Sequence, residues 1–316
     1  MTVVVEATDL VRHFGDVVAV DGVDLQVEEG EVFGFLGPNG AGKSTVVRML
    51  TTLLHPTSGS ARVGGCDVIS QAGEVRRMIG VALQDAAIDP LMTGSELMRL
   101  QAVLHGIPRS VIKTRGPELL ERVGLTAAVD RRVGTYSGGM RRRLDLALSL
   151  VHEPPILFLD EPTTGLDPTS RQALWEEVRR LNDELGTTVF LTTQYLEEAD
   201  QLAGRIAIID AGRLVREGTP TVLKSTVGAP TLRVEVGPEH VETTTTVMTG
   251  FGAERPSREG RVAIGLDEGA ARVADVVRAL DAAGVTVIHL ELDAPSLDDV
   301  FAHATGRRLE GSGDEQ

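Results

Sequence analysis

The chain has 316 residues, 42% of them hydrophobic, and a formal net charge of −15. Its length favours one large domain with a smaller one, and its acidic balance argues against a nucleic-acid partner, because nucleic-acid-binding proteins usually carry a basic face. Cys66 is the only cysteine, so no internal disulfide can form. We find no signal peptide, and the apolar runs are far shorter than the roughly 20 residues of a membrane span.

Residues 1–220 alternate predicted strands and helices, which indicates an α/β fold. The N-terminal part is rich in strands, and a hairpin with a turn at Ala211-Gly212 closes this part of the chain. Two continuous apolar segments, PPILFLDEP and TTVFLTTQ, have the composition of buried parallel strands. The predicted helices span residues 42–53, 94–105, 116–123 and 170–186.

The pattern changes near residue 220. Residues 221–308 predict a small α+β domain of βαββαβ type, with a short extra strand near 253–256. We interpret this domain as an accessory one that either regulates the protein or stabilises a dimer; the alternative is that it only packs against the first domain. The tail, residues 309–316, is predicted to be disordered.

The segment GPNGAGKST matches the phosphate-loop pattern in full. It follows a predicted strand and opens a predicted helix, a context that argues against a chance glycine-rich turn. Its glycines let successive backbone N–H groups face one anion, and the helix N-terminus adds the positive end of its dipole. Lys43 would reach the β- and γ-phosphates of a nucleotide, and Ser44 would ligate Mg²⁺. The predicted loop comprises Gly37, Pro38, Asn39, Gly40, Ala41, Gly42, Lys43, Ser44 and Thr45.

Two carboxylates, Asp160 and Glu161, end the predicted buried strand ILFLDEP. Asp160 is suited to hold Mg²⁺, and Glu161, which strand alternation directs to a different side, to polarise the water that attacks the γ-phosphate. The alternative is an acidic pair that merely closes a strand. The intact phosphate loop favours the catalytic interpretation.

The segment TYSGGMRRRLDLALSLV predicts a second anion site. Ser137 can cap the following helix, and Ser137, Gly138 and Gly139 form a glycine turn at its N-terminus. Because the chain has only one full phosphate loop, this second site is predicted to serve the nucleotide of another chain. The arginines at 141–143 are predicted to form the solvated face of the helix.

Together these motifs resemble, in order and spacing, the ATPase subunit of an ABC transporter. The resemblance covers residues 1–220 and implies a P-loop NTPase fold with a mixed sheet and a helical subdomain. The signature segment departs from its commonest form at Tyr136 and Met140. The motifs that carry the resemblance are GPNGAGKST, Gln84 in VALQD, YSGGM, ILFLDEP and TTGLDP.

This resemblance implies a head-to-tail dimer in which two ATP molecules, with Mg²⁺, lie between the phosphate loop of one chain and the signature of the other. It assigns Gln84 to link Mg²⁺ and the attacking water to the helical subdomain, and Asp167 to a dimer-contacting loop. It assigns Phe14 to stacking on adenine, for which the alternative is an ordinary core phenylalanine.

Within the family, the chain looks most like the daunorubicin/doxorubicin-resistance ATP-binding subunits of actinobacteria. The similarity includes VALQDAAIDPLMTGSEL, TTQYLEEADQLAGRIAIIDAGRLVREG and PSLDDVFAHATGR. It implies a subunit at the cytoplasmic face of the cell membrane that drives export of a hydrophobic drug, antibiotic or lipid. A separate integral-membrane permease would contact residues near 85–105. For the arginines at 141–143, the alternative to a solvated helix face is a contact with phosphate or with this membrane subunit.

Gln194 ends the strand TTVFLTTQ, where most ABC ATPases carry a histidine. A glutamine can donate a hydrogen bond to a phosphate oxygen, but it does not titrate near neutral pH. We therefore interpret Gln194 as a γ-phosphate sensor and leave the role of base to Glu161. The alternative is a polar residue at a strand end with no ligand contact.

Two other functions compete with a transporter ATPase. The first is a soluble ABC-type ATPase in DNA maintenance or translation, against which stand the acidic charge and the lack of a coiled-coil insert or a tandem ATPase domain. The second is a non-catalytic nucleotide-binding scaffold, which conflicts with the intact Lys43, Asp160 and Glu161.

Overall fold

The computed structural model describes residues 2–84, 88–257, 260–266 and 269–307, and it divides into two compact units after residue 220. The predicted disordered tail, residues 309–316, lies outside the described residues. The elements of the first unit are β1 Val3–Phe14, β2 Val17–Glu28, β3 Val32–Leu36, α1 Lys43–Leu50, β4 Ser58–Val63, β5 Cys66–Asp67, α2 Ala72–Met78, β6 Ile79–Ala82, α3 Gly94–Leu104, α4 Arg109–Arg122, α5 Gly138–Ser149, β7 Ile156–Asp160, α6 Pro168–Leu185, β8 Thr188–Thr193, α7 Leu196–Leu202, β9 Arg205–Asp210 and β10 Arg213–Gly218.

The described residues of the first unit form two sheets. One is antiparallel, in the order β2-β1-β4-β5, and the other has six strands in the order β10-β9-β3-β8-β7-β6. In the six-stranded sheet, β9, β3, β8, β7 and β6 are parallel, and β10 is antiparallel to β9. The predicted α/β class with a mixed sheet is therefore confirmed. Strands β3, β7 and β8 are buried along their whole length, as their unbroken apolar sequences predict.

Two hydrophobic cores lie on opposite faces of the six-stranded sheet, because successive strand residues point to opposite sides. On one face, Phe190 of β8 packs against Phe33, Phe35 and Phe158, with ring centroids 5.4–5.5 Å away. On the other face, the next residue, Leu191, belongs to a core that includes side chains of α3, α4, α5 and α6. The ends of β3, β7 and β8 therefore lie at one edge of a sheet that is packed on both faces.

Two predicted boundaries agree with the structure and one does not. Helix α6 ends at Gly186, whose φ is 65°, and the β9–β10 hairpin turns at Ala211 and Gly212. The prediction of a helix over 116–123 is wrong about its start, because α4 begins at Arg109. The first turns of α4 are mostly polar, so their periodicity is weak, and the burial of Ile112 anchors them.

The second unit has one antiparallel sheet in the order β12-β13-β11-β14. Its order of strand, helix, strand, strand, helix, strand is the predicted one, and the short extra strand is β12. None of the helices in the described ranges combines the length and apolar character that crossing a membrane requires. From the division onward the elements are α8 Pro220–Ser225, β11 Thr231–Val236, α9 Val241–Met248, β12 Gly252–Arg255, β13 Arg261–Leu266, α10 Val273–Ala282, β14 Val287–Asp293 and α11 Leu297–Thr305.

Candidate nucleotide site

The phosphate loop joins the buried strand β3 to α1. Two of its glycines are required by close packing: a Cβ at Gly37 would lie 2.4 Å from the carbonyl oxygen of Ile209, and one at Gly42 would lie 2.5 Å from that of Ala19. Gly42 also has a φ of 105° and takes the N-cap position of α1. The loop is therefore drawn tightly against β2 and β9, with the N-terminus of α1 at its end.

Lys43, the first residue of α1, is buried, with 4% of its surface exposed. Its Nζ donates hydrogen bonds to the carbonyl oxygens of Gly37 and Pro38, at 2.7 and 3.0 Å. It also forms an ion pair with Glu161, with 3.0 Å between Nζ and Oε1. Because a buried ammonium needs such partners, these contacts hold the charge over the loop, where phosphate oxygens are expected.

Asp160 joins the ends of three elements through one carboxylate oxygen. Ser44 Oγ donates to Asp160 Oδ1 at 3.1 Å, and Thr192 Oγ1 of β8 donates to the same oxygen at 2.6 Å. The structure therefore brings together the hydroxyl and the carboxylate that the sequence assigns to Mg²⁺. In the described part of the chain, no three His, Cys, Asp or Glu side chains are grouped so that they could hold a metal ion. A hydroxyl and one carboxylate still fit Mg²⁺, which in nucleotide sites takes its remaining ligands from phosphates and water.

An unusual backbone conformation sets the direction of the Glu161 side chain. The strand β7 ends at Asp160, and Glu161 has a φ of 49°, in the left-handed region that non-glycine residues occupy at a cost of about 1–3 kcal/mol. Its N–H donates to the carbonyl oxygen and to Oγ1 of Thr192, both at 3.1 Å. The prediction that strand alternation directs Glu161 is therefore wrong: a left-handed turn held by β8 does so.

The second carboxylate oxygen of Glu161 accepts two weaker hydrogen bonds. Gln84 Nε2 donates to Glu161 Oε2 at 3.4 Å, and Thr164 Oγ1 donates to it at 3.3 Å. The three predicted groups Lys43, Gln84 and Glu161 thus form one cluster. They share a cavity of about 180 Å³ that is lined by Ala19, Asn39, Gly40, Gly42, Lys43, Ser44, Thr45, Gln84 and Glu161.

The signature segment lies outside this cavity. Ser137 caps α5, as predicted: its Oγ accepts a hydrogen bond from the N–H of Met140 at 3.2 Å. A Cβ at Gly139 would lie 3.1 Å from Oγ of Ser170, which in turn donates to Asp167 Oδ2 at 2.6 Å. Hydrogen bonds from Ser170 lower the pKa of Asp167. The signature and the loop of Asp167 are therefore neighbours, and the two predicted anion sites are separate on one chain.

Neither Phe14 nor Gln194 is among the residues that line this cavity. Phe14 is 47% exposed, so the alternative of a core phenylalanine is wrong, and the guanidinium of Arg12 lies 4.6 Å from its ring centroid. Adenine stacking on Phe14 stays a prediction. Gln194 is half-buried after β8, and its side chain has no hydrogen bond to another residue in the described ranges. Its contact with a γ-phosphate also stays a prediction.

Two residues near the site were assigned no role there by the sequence motifs. Thr192 contacts both Asp160 and Glu161, and only the pairing of β8 with β7 reveals it. Arg142 was expected on a solvated helix face, but that prediction is wrong, because Arg142 is only 8% exposed. Its guanidinium donates to the carbonyl oxygens of Leu83, Asp160 and Pro162. In the sequence, the only hint is that Arg142 stands four residues before the buried Leu146 of α5, a spacing that places both on one side of the helix.

Comparison with known proteins agrees with this geometry. The family model of the ABC transporter matches residues 20–164. The daunorubicin resistance ATP-binding protein DrrA2 of Streptomyces coeruleorubidus is 47% identical over 98% of this chain and 97% of its own length. The doxorubicin resistance ATP-binding protein DrrA of Mycobacterium tuberculosis is 42% identical over 96% of this chain and 94% of its own length.

Solved structures share the fold of the first unit. One is a dimeric, post-hydrolysis state of an ATP-binding cassette bound to ADP and Pi; it is 26% identical, covers 68% of this chain and 98% of that chain, and has a TM-score of 0.63. Another is the ATP-binding subunit of an ABC transporter, 26% identical with a TM-score of 0.65, covering 71% of this chain and 92% of that chain. The chain belongs to the ATP-hydrolysing, ATP-binding subunits of ABC transporters, in the daunorubicin/doxorubicin-resistance family.

Proposed function

We propose that this chain hydrolyses Mg-ATP in a head-to-tail dimer at the cytoplasmic face of the membrane, and that it drives export through a separate permease. The cargo is a hydrophobic drug, an antibiotic or a lipid. The observation that carries the proposal is the separation of the phosphate loop from the signature segment, the two predicted anion sites, on one chain. A buried cluster of Lys43, Asp160 and Glu161 lies beside the phosphate loop, whereas the signature residue Ser137 is exposed elsewhere.

Nucleotide binding rearranges the partners of Lys43. In the structure its ammonium contacts Glu161 and two loop carbonyls. Phosphate oxygens of ATP compete for the same protons, and their charge makes them strong acceptors. Capture of the ammonium by the phosphates releases Glu161 Oε1, which is then free to accept a proton from the attacking water.

The other residues of the cluster orient the reactants. Ser44 and Asp160 would hold Mg²⁺, which neutralises charge on the phosphates when bound. Gln84 orients the carboxylate of Glu161 by its hydrogen bond to Oε2. Gln194 donates its amide N–H to the γ-phosphate, and Phe14 stacks on adenine.

The separate signature supports a dimer in which each ATP is completed by a second chain. Ser137 and Gly138 are exposed at the N-terminus of α5, where a backbone turn and the helix dipole favour an anion. The neighbouring Asp167 caps α6 and holds the adjoining loop. In the proposed dimer these groups face the γ-phosphate that is held by the partner's phosphate loop.

A groove in the first unit supports docking of the permease. It includes residues of α3 and α5 and contains the exposed apolar side chains of Leu53, Leu100 and Leu104, which are 57%, 41% and 69% exposed. Solvent-exposed leucines grouped in one groove are typical of a protein interface. The groove overlaps the segment 85–105 that was predicted to contact the permease, of which 85–87 lie outside the described residues.

The names of the relatives support the class of cargo. They refer to daunorubicin, doxorubicin and linearmycin resistance and to Nod factor export. All of them describe resistance or export, which disfavours the alternative of a soluble ATPase in DNA maintenance or translation.

Co-expression with candidate integral-membrane permease subunits tests the proposal. We expect inverted membrane vesicles that contain both subunits to accumulate daunorubicin in the presence of ATP and Mg²⁺. Vesicles with Lys43→Ala, which removes the phosphate-binding ammonium, serve as the matched control and should accumulate none. Active ATP hydrolysis without transport of any amphipathic compound, or a chain that does not bind the permease, would contradict the proposal.

A further inference from the structure

The guanidinium of Arg142 donates hydrogen bonds to three backbone carbonyls next to Glu161 and Gln84. Arg142 Nε donates to the carbonyl oxygen of Pro162 at 2.9 Å, Nη2 donates to that of Asp160 at 2.5 Å, and Nη1 donates to that of Leu83. These bonds join residues far apart in the sequence. The guanidinium is buried, so water cannot replace the bonds when one is lost.

The positions of these carbonyls relate directly to Glu161 and Gln84. Asp160 and Pro162 flank Glu161 on both sides, and Leu83 immediately precedes Gln84. Glu161 has a left-handed backbone, which persists only when its surroundings hold it in place. Arg142 therefore holds the strained residue from both sides and sets its distance from Gln84.

Asp145 connects this arginine to the groove. It lies one helical turn after Arg142 on α5, and its Oδ2 is 3.6 Å from Arg142 Nη1. The same aspartate lines the groove that contains the exposed leucines. Burial raises the pKa of Asp145 to about 7, against the opposing effect of Arg142. Oδ2 makes no hydrogen bond to a described residue, so its contact with Arg142 is an ion pair without a hydrogen bond.

We propose that Arg142 is a positioning residue for ATP hydrolysis, which couples the position of α5 to Glu161 and Gln84, and that Asp145 orients Arg142 from the wall of the groove. This inference rests on the proposed role of Glu161 as the base. Because α5 begins at the signature, a shift of this helix moves the guanidinium and with it the carbonyls on both sides of Glu161. The groove and the signature would then both act on the base through one side chain.

Arg142→Lys in the full chain tests the proposal. Lysine keeps the charge, but its single ammonium cannot reproduce the planar fork that reaches three carbonyls. We expect the Kd for ATP to stay within about threefold, because Lys43 and Ser44 are unchanged, and kcat to fall roughly 100-fold, the scale of a small misplacement of a catalytic group. Arg141→Lys, on the exposed neighbour, is the matched control and should keep the wild-type kcat.

A second variant separates positioning from folding. Asp145→Asn retains the guanidinium and removes only the carboxylate, so kcat should fall roughly 2- to 30-fold with the Kd for ATP unchanged. Should Arg142→Lys fail to fold, this variant decides the question by the same comparison of kcat with Kd.

Two results would overturn the inference. First, a kcat for Arg142→Lys within twofold of wild type would show that the three hydrogen bonds of the guanidinium have no role in turnover. Second, a loss of ATP binding that parallels the loss of kcat would show that Arg142 only stabilises the fold. The proposed function is judged separately, because it requires that the wild-type chain hydrolyses ATP and that Glu161→Gln does not.

Discussion

The buried ion pair between Lys43 and Glu161 makes Glu161→Gln a test of both binding and hydrolysis. The two side chains are 3% and 5% exposed, and Nζ lies 3.0 Å from Oε1. Glutamine keeps the size of the side chain and can still accept a hydrogen bond from Lys43. It carries no negative charge and cannot take the proton of the attacking water.

The expected magnitudes follow from this contact. Hydrogen bonds in which one partner is charged contribute roughly 1.5–3 kcal/mol, and the bond from Lys43 to a neutral glutamine oxygen should lie at the lower end of this range because it lacks the attraction of the carboxylate charge. ATP must displace this contact, so the weaker bond in the variant should favour binding by about 1 kcal/mol, or roughly fivefold in Kd. Loss of a general base should lower kcat roughly 10²- to 10⁴-fold. ATP-bound dimers should therefore accumulate, since the nucleotide that holds them is not hydrolysed.

Three measurements check these expectations: the Kd for ATP by titration calorimetry, phosphate release for turnover, and size-exclusion chromatography with ATP for the dimer. Glu184→Gln on α6, whose side chain is 61% exposed, is the matched control and should leave all three unchanged. Turnover at the wild-type rate in Glu161→Gln would refute the assignment of the base. Weaker ATP binding in the variant would refute the competition between Glu161 and the phosphates.

Three further predictions concern the strand end, the pH dependence of stability and the core. Gln194→Ala should lower kcat for ATP with little change in folding, measured by phosphate release and thermal unfolding; a wild-type kcat would favour a strand-end residue without ligand contact. Burial, and to a smaller extent the charge of His105, lower the pKa of His152 from 6.5 to about 4. The rings of the two histidines are stacked, with 3.8 Å between their centroids. Between pH 6.5 and pH 4, His152 binds a proton in the unfolded chain but not in the folded chain. The free energy of unfolding therefore contains the full contribution of neutral His152 above pH 6.5, and this contribution is lost as the pH falls towards 4. His152→Gln should therefore flatten the pH dependence of the free energy of unfolding in that window, measured with urea, and an unchanged slope would contradict the shift. Phe190→Ala should lower the free energy of unfolding by about 3–5 kcal/mol, because it leaves a cavity among three rings; exposed Phe14→Ala, the control, should change it little, and equal losses would refute the core assignment.

Features that depend on neighbouring residues could be predicted from the sequence. The phosphate loop, the cap of α5 at Ser137 and the end of α6 at Gly186 are of this kind, because capping and left-handed glycine turns involve groups within a few residues. The continuous apolar segments likewise predicted the buried strands β7 and β8. The weakly periodic start of α4 was missed, since its burial depends on what packs against Ile112.

The motifs and the reacting groups can be read from short segments of the chain: a lysine and a serine on the loop, and two carboxylates at a strand end. How these groups meet depends on the packing of the strands and helices. Thr192 contacts Asp160 because β8 pairs with β7, and Arg142 reaches Leu83 because α5 packs beside β6. Contacts between residues so far apart leave no local pattern in the chain, since they depend on which elements become neighbours once the sheet and its helices have packed.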